Sequence, residues 1–166
     1  MQSLENDTKY VSKLSEAFVN SYKDKEVPWG PVGYITYKRT YARKKKNGHL
    51  EEWYETVARC CQGVLDIGGK FTKEEIEQLY DYVFNLKCNF AGRQLWQLGT
   101  ENVERLGGDS LANCWVIALD SIESFCFLFD ELCLGGGVGY PVQSYTVDKL
   151  PPVTTNQIKI TRTDSW

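Results

Sequence analysis

Residues 114–119 read Cys-Trp-Val-Ile-Ala-Leu, an unbroken apolar run of strand length, and a glycine-rich turn, Gly135-Gly136-Gly137-Val138-Gly139, follows closely. A run with no polar alternation suits a strand buried on both faces, as in a mixed α/β sheet. The segment between run and turn is expected to be a helix. Asp120 can cap it with Glu123 at the third position, and Phe125, Leu128, Phe129 and Leu132 supply its buried stripe. The glycines from 135 stop that helix and let the chain turn sharply. Cys114 heads the strand, where polar Ser110 and Asn113 meet the apolar run. Strand ends are where α/β folds carry their chemistry. A thiol there, beside backbone without side chains, is placed for redox chemistry on a bound ligand.

Before residue 100 the pattern is helical. Tyr10, Val11, Leu14, Phe18 and Tyr22 follow the three- and four-residue spacing of an amphipathic helix. Val27-Pro28-Trp29-Gly30-Pro31 is a rigid turn whose prolines bar helix continuation. Residues 33–40 mix aromatic, β-branched and basic side chains, a composition that favours strand. Residues 50–65 put Trp53, Val57, Cys61, Val64 and Leu65 on one helical face, with Glu51, Glu52 and Glu55 in the early turns, where the helix dipole favours acids. Thr72 and Glu75 form a capping box for a helix over 73–87, whose stripe is Ile76, Leu79, Tyr80, Val83 and Phe84. After the glycine turn, residues 142–147 and 157–161 alternate as strands do, separated by Pro151-Pro152. The chain thus divides into a mainly helical region, 1–100, and an α/β region, 101–166.

With 166 residues, 42% hydrophobic and 25% charged, the chain can bury a core of its own as an ordinary soluble domain. A net charge of −3 gives no global reason to expect nucleic acid as a partner. Charged residues are spread through 1–20, unlike a signal peptide, and no run approaches the roughly 20 apolar residues of a membrane helix. A cytoplasmic setting is expected, with the six cysteines as reduced thiols. The sequence has no CxxC and a single histidine, His49, so no metal site is expected.

Each candidate has a plainer alternative. Cys114 is either a redox thiol or a small core residue, since cysteine is among the most buried residue types. Cys60 and Cys61 are adjacent on a helix and point in different directions, which favours packing over a redox pair. Cys88, Cys126 and Cys133 lie near helical stripes and read the same way. The glycine cluster is neither a Walker loop nor GxGxxG. It is either a helix stop or a bare surface for a nucleotide's sugar or base. The basic run Lys38, Arg39, Arg43, Lys44, Lys45 and Lys46 is either a solvated surface or, with Tyr34, Tyr37 and Tyr41, a phosphate or single-strand contact.

These residues together resemble a known family. Trp29-Gly30 and the run from Gly33-Tyr34-Ile35-Thr36-Tyr37-Lys38-Arg39-Thr40-Tyr41-Ala42-Arg43 look like the amino-terminal signature of monomeric adenosylcobalamin-dependent (class II) ribonucleoside-triphosphate reductases. Gly92-Arg93, Leu95-Trp96, Gly99-Thr100, Gly108-Asp109-Ser110-Leu111, Asn113-Cys114-Trp115, Phe127 to Leu132 and Gly135 to Gly139 follow in family order. The resemblance implies replacement of the ribose 2′-hydroxyl by hydrogen through a protein thiyl radical, with two further cysteines supplying the reducing equivalents as they form a disulfide. Cys114 matches the first of that pair, on the opening strand of a ten-stranded α/β barrel. Ser110, Asn113, Gly135, Gly136, Gly137 and Gly139 would lie near substrate.

The same resemblance places the radical cysteine, the second reducing cysteine and the catalytic glutamate and asparagine on later strands. The chain stops at Trp166, ahead of them, and a barrel must close. The expectation is therefore an incomplete barrel, inactive alone. It needs the remaining carboxy-terminal polypeptide, adenosylcobalamin, a ribonucleoside triphosphate and a thioredoxin-like reductant. The short link from Leu119 to Phe125 suggests a compact, phage-type member. Exposed apolar surface is expected where further strands would pair. The alternative function is a non-catalytic nucleotide-binding or regulatory module derived from the same fold.

Overall fold

The computed structural model describes residues 9–152. Among them the chain forms α1 (Glu16–Asn20), α2 (Pro31–Thr40), α3 (Trp53–Asp66), α4 (Lys73–Phe84), α5 (Gly92–Gln97), α6 (Glu101–Leu106) and a 3-10 turn (Gly108–Leu111). These are followed by β1 (Trp115–Val116), α7 (Ile122–Cys133), β2 (Val138–Gly139) and α8 (Ser144–Val147).

The core forms where α3 meets α4. Trp53, Val57, Cys61 and Leu65 are buried along α3, and Ile76, Tyr80, Val83 and Phe84 along α4, as the helical period dictates. Each fully buried aliphatic side chain here contributes about 1.5–3 kcal/mol. The expected capping box starts α4: the Glu75 N–H donates to Thr72 Oγ1 (3.3 Å) and the Thr72 N–H to Glu75 Oε2 (2.8 Å). Helix α3 starts at Trp53 rather than residue 50, because Leu50 is bridged to Lys44 and the Glu51 N–H donates to the Arg43 carbonyl (2.8 Å). Aromatic rings fill the layer outside the pair. Phe18, Tyr22, Tyr80 and Phe84 form one cluster, and Trp29, Tyr37 and Trp53 another.

Residues 33–40 are helical, not a strand. Pro31 sits in the first turn of α2, where its fixed φ fits and its missing N–H costs nothing. Tyr34, Tyr37 and Tyr41 recur at three and four residues, and Tyr37 is buried between Trp29 and Trp53. The first amphipathic segment is shorter than its spacing suggests, with only Glu16–Asn20 helical. Before it the chain is held by the Val11 N–H to the Phe71 carbonyl (2.9 Å) and by Gln62, which bonds the Ser12 carbonyl and the Leu14 N–H.

Gly63 brings α3 against the turn after α5. A Cβ there would lie 2.6 Å from the Gly99 nitrogen and 2.8 Å from Leu98 Cγ. Gly63→Ala should therefore cost about 1–3 kcal/mol in urea unfolding. An unchanged midpoint would mean that this close approach does not exist in solution.

The α/β part is smaller than expected. Of residues 114–119 only Trp115 and Val116 form a strand, paired in parallel with Val138 and Gly139. The strand is not buried on both faces: Val116 is 73% exposed and Cys114 is exposed. The reason is that the sheet has two strands among the described residues, with α7 packed beside it. Ser121 and Ser124, rather than Asp120 and Glu123, cap α7, while the Asp120 carboxylate pairs with Lys149 (3.2 Å). Leu128 is buried, but Phe129 (60%) and Leu132 (48%) are exposed, so the expected apolar stripe of α7 is only partly covered. Residues 142–147 turn into α8, with Thr146 buried and its hydroxyl donating to the Gln143 carbonyl (2.7 Å). The strand expected over 157–161 lies outside the described residues. No helix among the described residues is long and apolar enough to cross a membrane.

Candidate active site

The glycine turn is a Schellman stop. Leu134 caps α7, Gly135 takes φ +91°, its N–H donates to the Leu132 carbonyl (3.1 Å), and the Gly136 N–H donates to the Glu131 carbonyl (2.8 Å). The chain is thereby reversed into β2, which runs beside β1. The Trp115 N–H donates to the Gly137 carbonyl and the Ile117 N–H to the Gly139 carbonyl, both at 3.1 Å. One residue ahead of the Trp115–Val138 pair, Cys114 stands abreast of Gly137 at the open end of the sheet.

The guanidinium of Arg93 on α5 holds this end together. It donates to the carbonyl of Ser110 (3.1 Å), the carbonyl of Gly135 and Oδ1 of Asn113 (3.0 Å). The space where a side chain at Gly137 would lie is filled by the Asn113 amide. Ser110 is buried against Gly135, and its hydroxyl has no partner among the described residues. The Trp115 indole lies over Gly136, with its N–H also unpaired. Ser110, Asn113, Cys114, Gly135, Gly136 and Gly137 therefore converge. Gly139 lies beyond them along β2, near Val116.

Arg93 was visible in the sequence only as part of the Gly92-Arg93 block. A lone arginine on a short helix carries no local signal, since its three acceptors come from two later segments. Arg93 is itself anchored through α5. Arg59 of α3 donates to the carbonyls of Leu95 (2.8 Å) and Leu98 (2.5 Å) and pairs with buried Glu51 (2.8 Å).

The six thiols separate into two kinds. Cys60 and Cys61 are fully buried, whereas Cys88, Cys114, Cys126 and Cys133 are exposed, so the last two do not pack inside the α7 stripe and Cys88 is not a core residue. Burial pushes the Cys60 thiol up to about 11 and raises Cys61 as well. Under native conditions an alkylating reagent should label the four exposed thiols and spare these two until the chain unfolds, as read by peptide mass. Because folded Cys60 keeps its proton above the usual 9, the unfolded chain releases protons first as pH rises. The stability held below pH 9 should fall progressively toward pH 11. A urea midpoint constant over that range would contradict the burial.

Among the described residues no three His, Cys, Asp or Glu side chains converge to hold a metal, and His49 is exposed.

A helical scaffold that fixes an open thiol against side-chain-free backbone defines an α/β cysteine site. The ribonucleotide reductase alpha domain matches residues 14–100. The adenosylcobalamin-dependent ribonucleoside-triphosphate reductase of Lactobacillus leichmannii is 36% identical over 84% of this chain and 23% of its own length. That of Lactobacillus acidophilus is 34% identical over 90% and 24%. A crystal structure of a B12-dependent (class II) ribonucleotide reductase is similar with a TM-score of 0.68 and 35% identity, over 84% of this chain and 24% of that one. The chain belongs to the ribonucleotide reductase family and corresponds to the amino-terminal region of its class II members. It spans about a quarter of the length of the curated relatives it matches. Adenosylcobalamin carries its cobalt in its own corrin ring and so needs no three-residue ligand set from a protein; among the described residues there is none.

Proposed function

We propose that this chain is the amino-terminal part of an adenosylcobalamin-dependent ribonucleoside-triphosphate reductase, converting ribonucleotides to 2′-deoxyribonucleotides in the cytoplasm. Residues 1–100 form its helical region and 101–166 begin its ten-stranded barrel. The observation that carries this reading is Cys114, open to solvent at the head of β1 and flanked by Gly137 and the Arg93-bound Asn113. Ser110, Asn113 and the Gly135–Gly139 turn would border a ribose whose C2′ lies at the thiol, while Gly136 and Gly137 make room for the Trp115 ring and the Asn113 amide that order the turn.

Cys114 then serves as one of two reducing cysteines. The two thiols lose two electrons and two protons as their sulfurs join, and the 2′-hydroxyl leaves as water while hydrogen takes its place. Proton delivery from a positioned thiol to the departing oxygen lowers the barrier chiefly by proximity. Adenosylcobalamin supplies the radical that initiates turnover when bound by the complete enzyme. The second cysteine comes from the remaining polypeptide, and a thioredoxin-like dithiol restores the pair.

The test is reconstitution: this chain, the remaining reductase polypeptide, adenosylcobalamin, a dithiol and labelled CTP, scored for dCTP. Product should require both polypeptides and vanish with Cys114→Ser. Wild-type turnover from that variant would remove Cys114 from the mechanism. No product from folded partners would favour a non-catalytic nucleotide-binding module.

A further inference from the structure

Two half-buried guanidinia in this chain are held in different ways. Arg59 is neutralised by Glu51, with Nε on one carboxylate oxygen and Nη2 on the other. Arg93 has no carboxylate partner among the described residues, and its hydrogen bonds go to neutral oxygens. What distinguishes it is where those oxygens lie. Nη1 donates to the carbonyls of Ser110 and Gly135, and Nη2 to Oδ1 of Asn113. Ser110 belongs to the 3-10 turn ahead of β1, and Gly135 opens the turn into β2. One planar group thus sets the spacing of the two segments that meet at the thiol.

Among the described residues the Cys114 backbone makes no hydrogen bond, so its neighbours fix it. On one side, the Trp115 N–H donates to the Gly137 carbonyl (3.1 Å). On the other, the Asn113 amide fills the space beside the same Gly137, and Arg93 grips that amide. The ladder supplies the first constraint and the guanidinium the second. Helix α5 is itself fixed, since Arg59 donates to the Leu95 and Leu98 carbonyls and Gln94 Nε2 to the Leu111 carbonyl (3.4 Å). A displacement of Asn113 is therefore a displacement of the thiol.

We propose that Arg93 is a positioning residue for the reduction at Cys114: its fork holds Asn113 against Gly137 and so sets where the thiol stands. The proposal rests on the reductase reading, but the clamp is measurable without turnover. A group that acts through the orientation of another changes kcat and leaves KM, whereas a substrate ligand changes KM. Lysine cannot take its place, because an ammonium has no planar fork to reach acceptors on two segments.

The reconstituted enzyme is assayed for CTP reduction. Arg93→Met, which keeps the aliphatic stem, should lower kcat by about tenfold with KM within about twofold of wild type. Arg93→Lys should not restore kcat. Gln94→Ala removes the neighbouring tie to Leu111 and should leave kcat at the wild-type value. Because Arg93 acts through Asn113, Arg93→Met should cost less than about twofold more in an Asn113→Ala background. In this chain alone, exchange of the Trp115 and Ile117 amide hydrogens should quicken by about tenfold in Arg93→Met while amides in α3 and α4 keep their rates.

Full kcat in Arg93→Lys, or a raised KM at wild-type kcat, would make the guanidinium a simple charge or a substrate ligand and overturn the proposal. So would an undiminished loss in the Asn113→Ala background, or unchanged exchange in Arg93→Met. If turnover needs Cys114 while Arg93→Met keeps its kcat, the positioning role falls and the reductase reading stands. Exchange quickened in Arg93→Met, with turnover indifferent to Cys114→Ser, would mean that the reductase reading has failed and the arginine's contacts have not.

Discussion

Glu51→Ala should destabilise the fold by about 3–5 kcal/mol, a large part of the roughly 5–15 kcal/mol that holds a domain together. Glu51 is 7% exposed and accepts from the Arg43 N–H (3.1 Å), Thr56 Oγ1 (2.8 Å), and Arg59 Nε (2.8 Å) and Nη2 (3.1 Å). Without the carboxylate the Arg59 charge is left uncompensated. Burial works against that guanidinium, and Glu51 overcomes it, holding its pKa above the ordinary arginine range. Two further variants separate charge from shape. Glu51→Gln keeps acceptors and volume and should lose less, and Glu51→Ala with Arg59→Met should recover part of the loss by removing the orphaned charge. Urea unfolding measures all three. A single-variant loss below about 0.5 kcal/mol, the range of ordinary surface substitutions, would mean that the pair is solvated.

Gly137→Ala should lower turnover of the reconstituted enzyme by about a hundredfold, the cost of misplacing reacting groups by roughly an ångström. The added methyl overlaps Asn113 Oδ1 and lies 3.3 Å from the Asn113 Cα. The amide cannot simply swing aside, because Arg93 holds the same oxygen. Asn113 must move, and Cys114 is the next residue. Gly108→Ala is the matched control, since nothing lies within 4 Å of its Cβ position. The α3–α4 core is remote from the change, so far-UV circular dichroism and its melt should match wild type. Turnover of Gly137→Ala within twofold of the control would mean that the turn does not set the thiol's position.

How much of this could be read in the chain follows from where each element finds its partners. Helices α3 and α4 were legible because an apolar stripe and a Thr72–Glu75 box are properties of neighbouring residues. The stop at Gly135 was legible for the same reason. Helix α2 was misread because β-branched and aromatic side chains weigh toward strand, whereas the aromatic pocket that buries Tyr37 is supplied by Trp29 and Trp53. Strand length at 114–119 was overestimated because an apolar run is the same whether or not neighbours cover it, and here one short strand does. The site shows the same division. Cys114 and the glycines stood out by type and order, whereas Arg93 acquires its role from carbonyls 17 and 42 residues away.

The path from Glu51 through Arg59 to α5, and from Arg93 to the sheet, also sets an order of assembly. Glu51, Arg59 and the carbonyls of Leu95 and Leu98 precede β1 in the chain, and the ion pair spans eight residues. The β1–β2 pairing cannot begin until Val138 exists. On the ribosome, where earlier segments fold first, the scaffold that aims Arg93 can be finished before the glycine turn emerges. The segments that carry Ser110, Asn113 and Gly135 then dock onto a guanidinium already in place, so the residue next to the thiol meets its anchor as soon as it emerges.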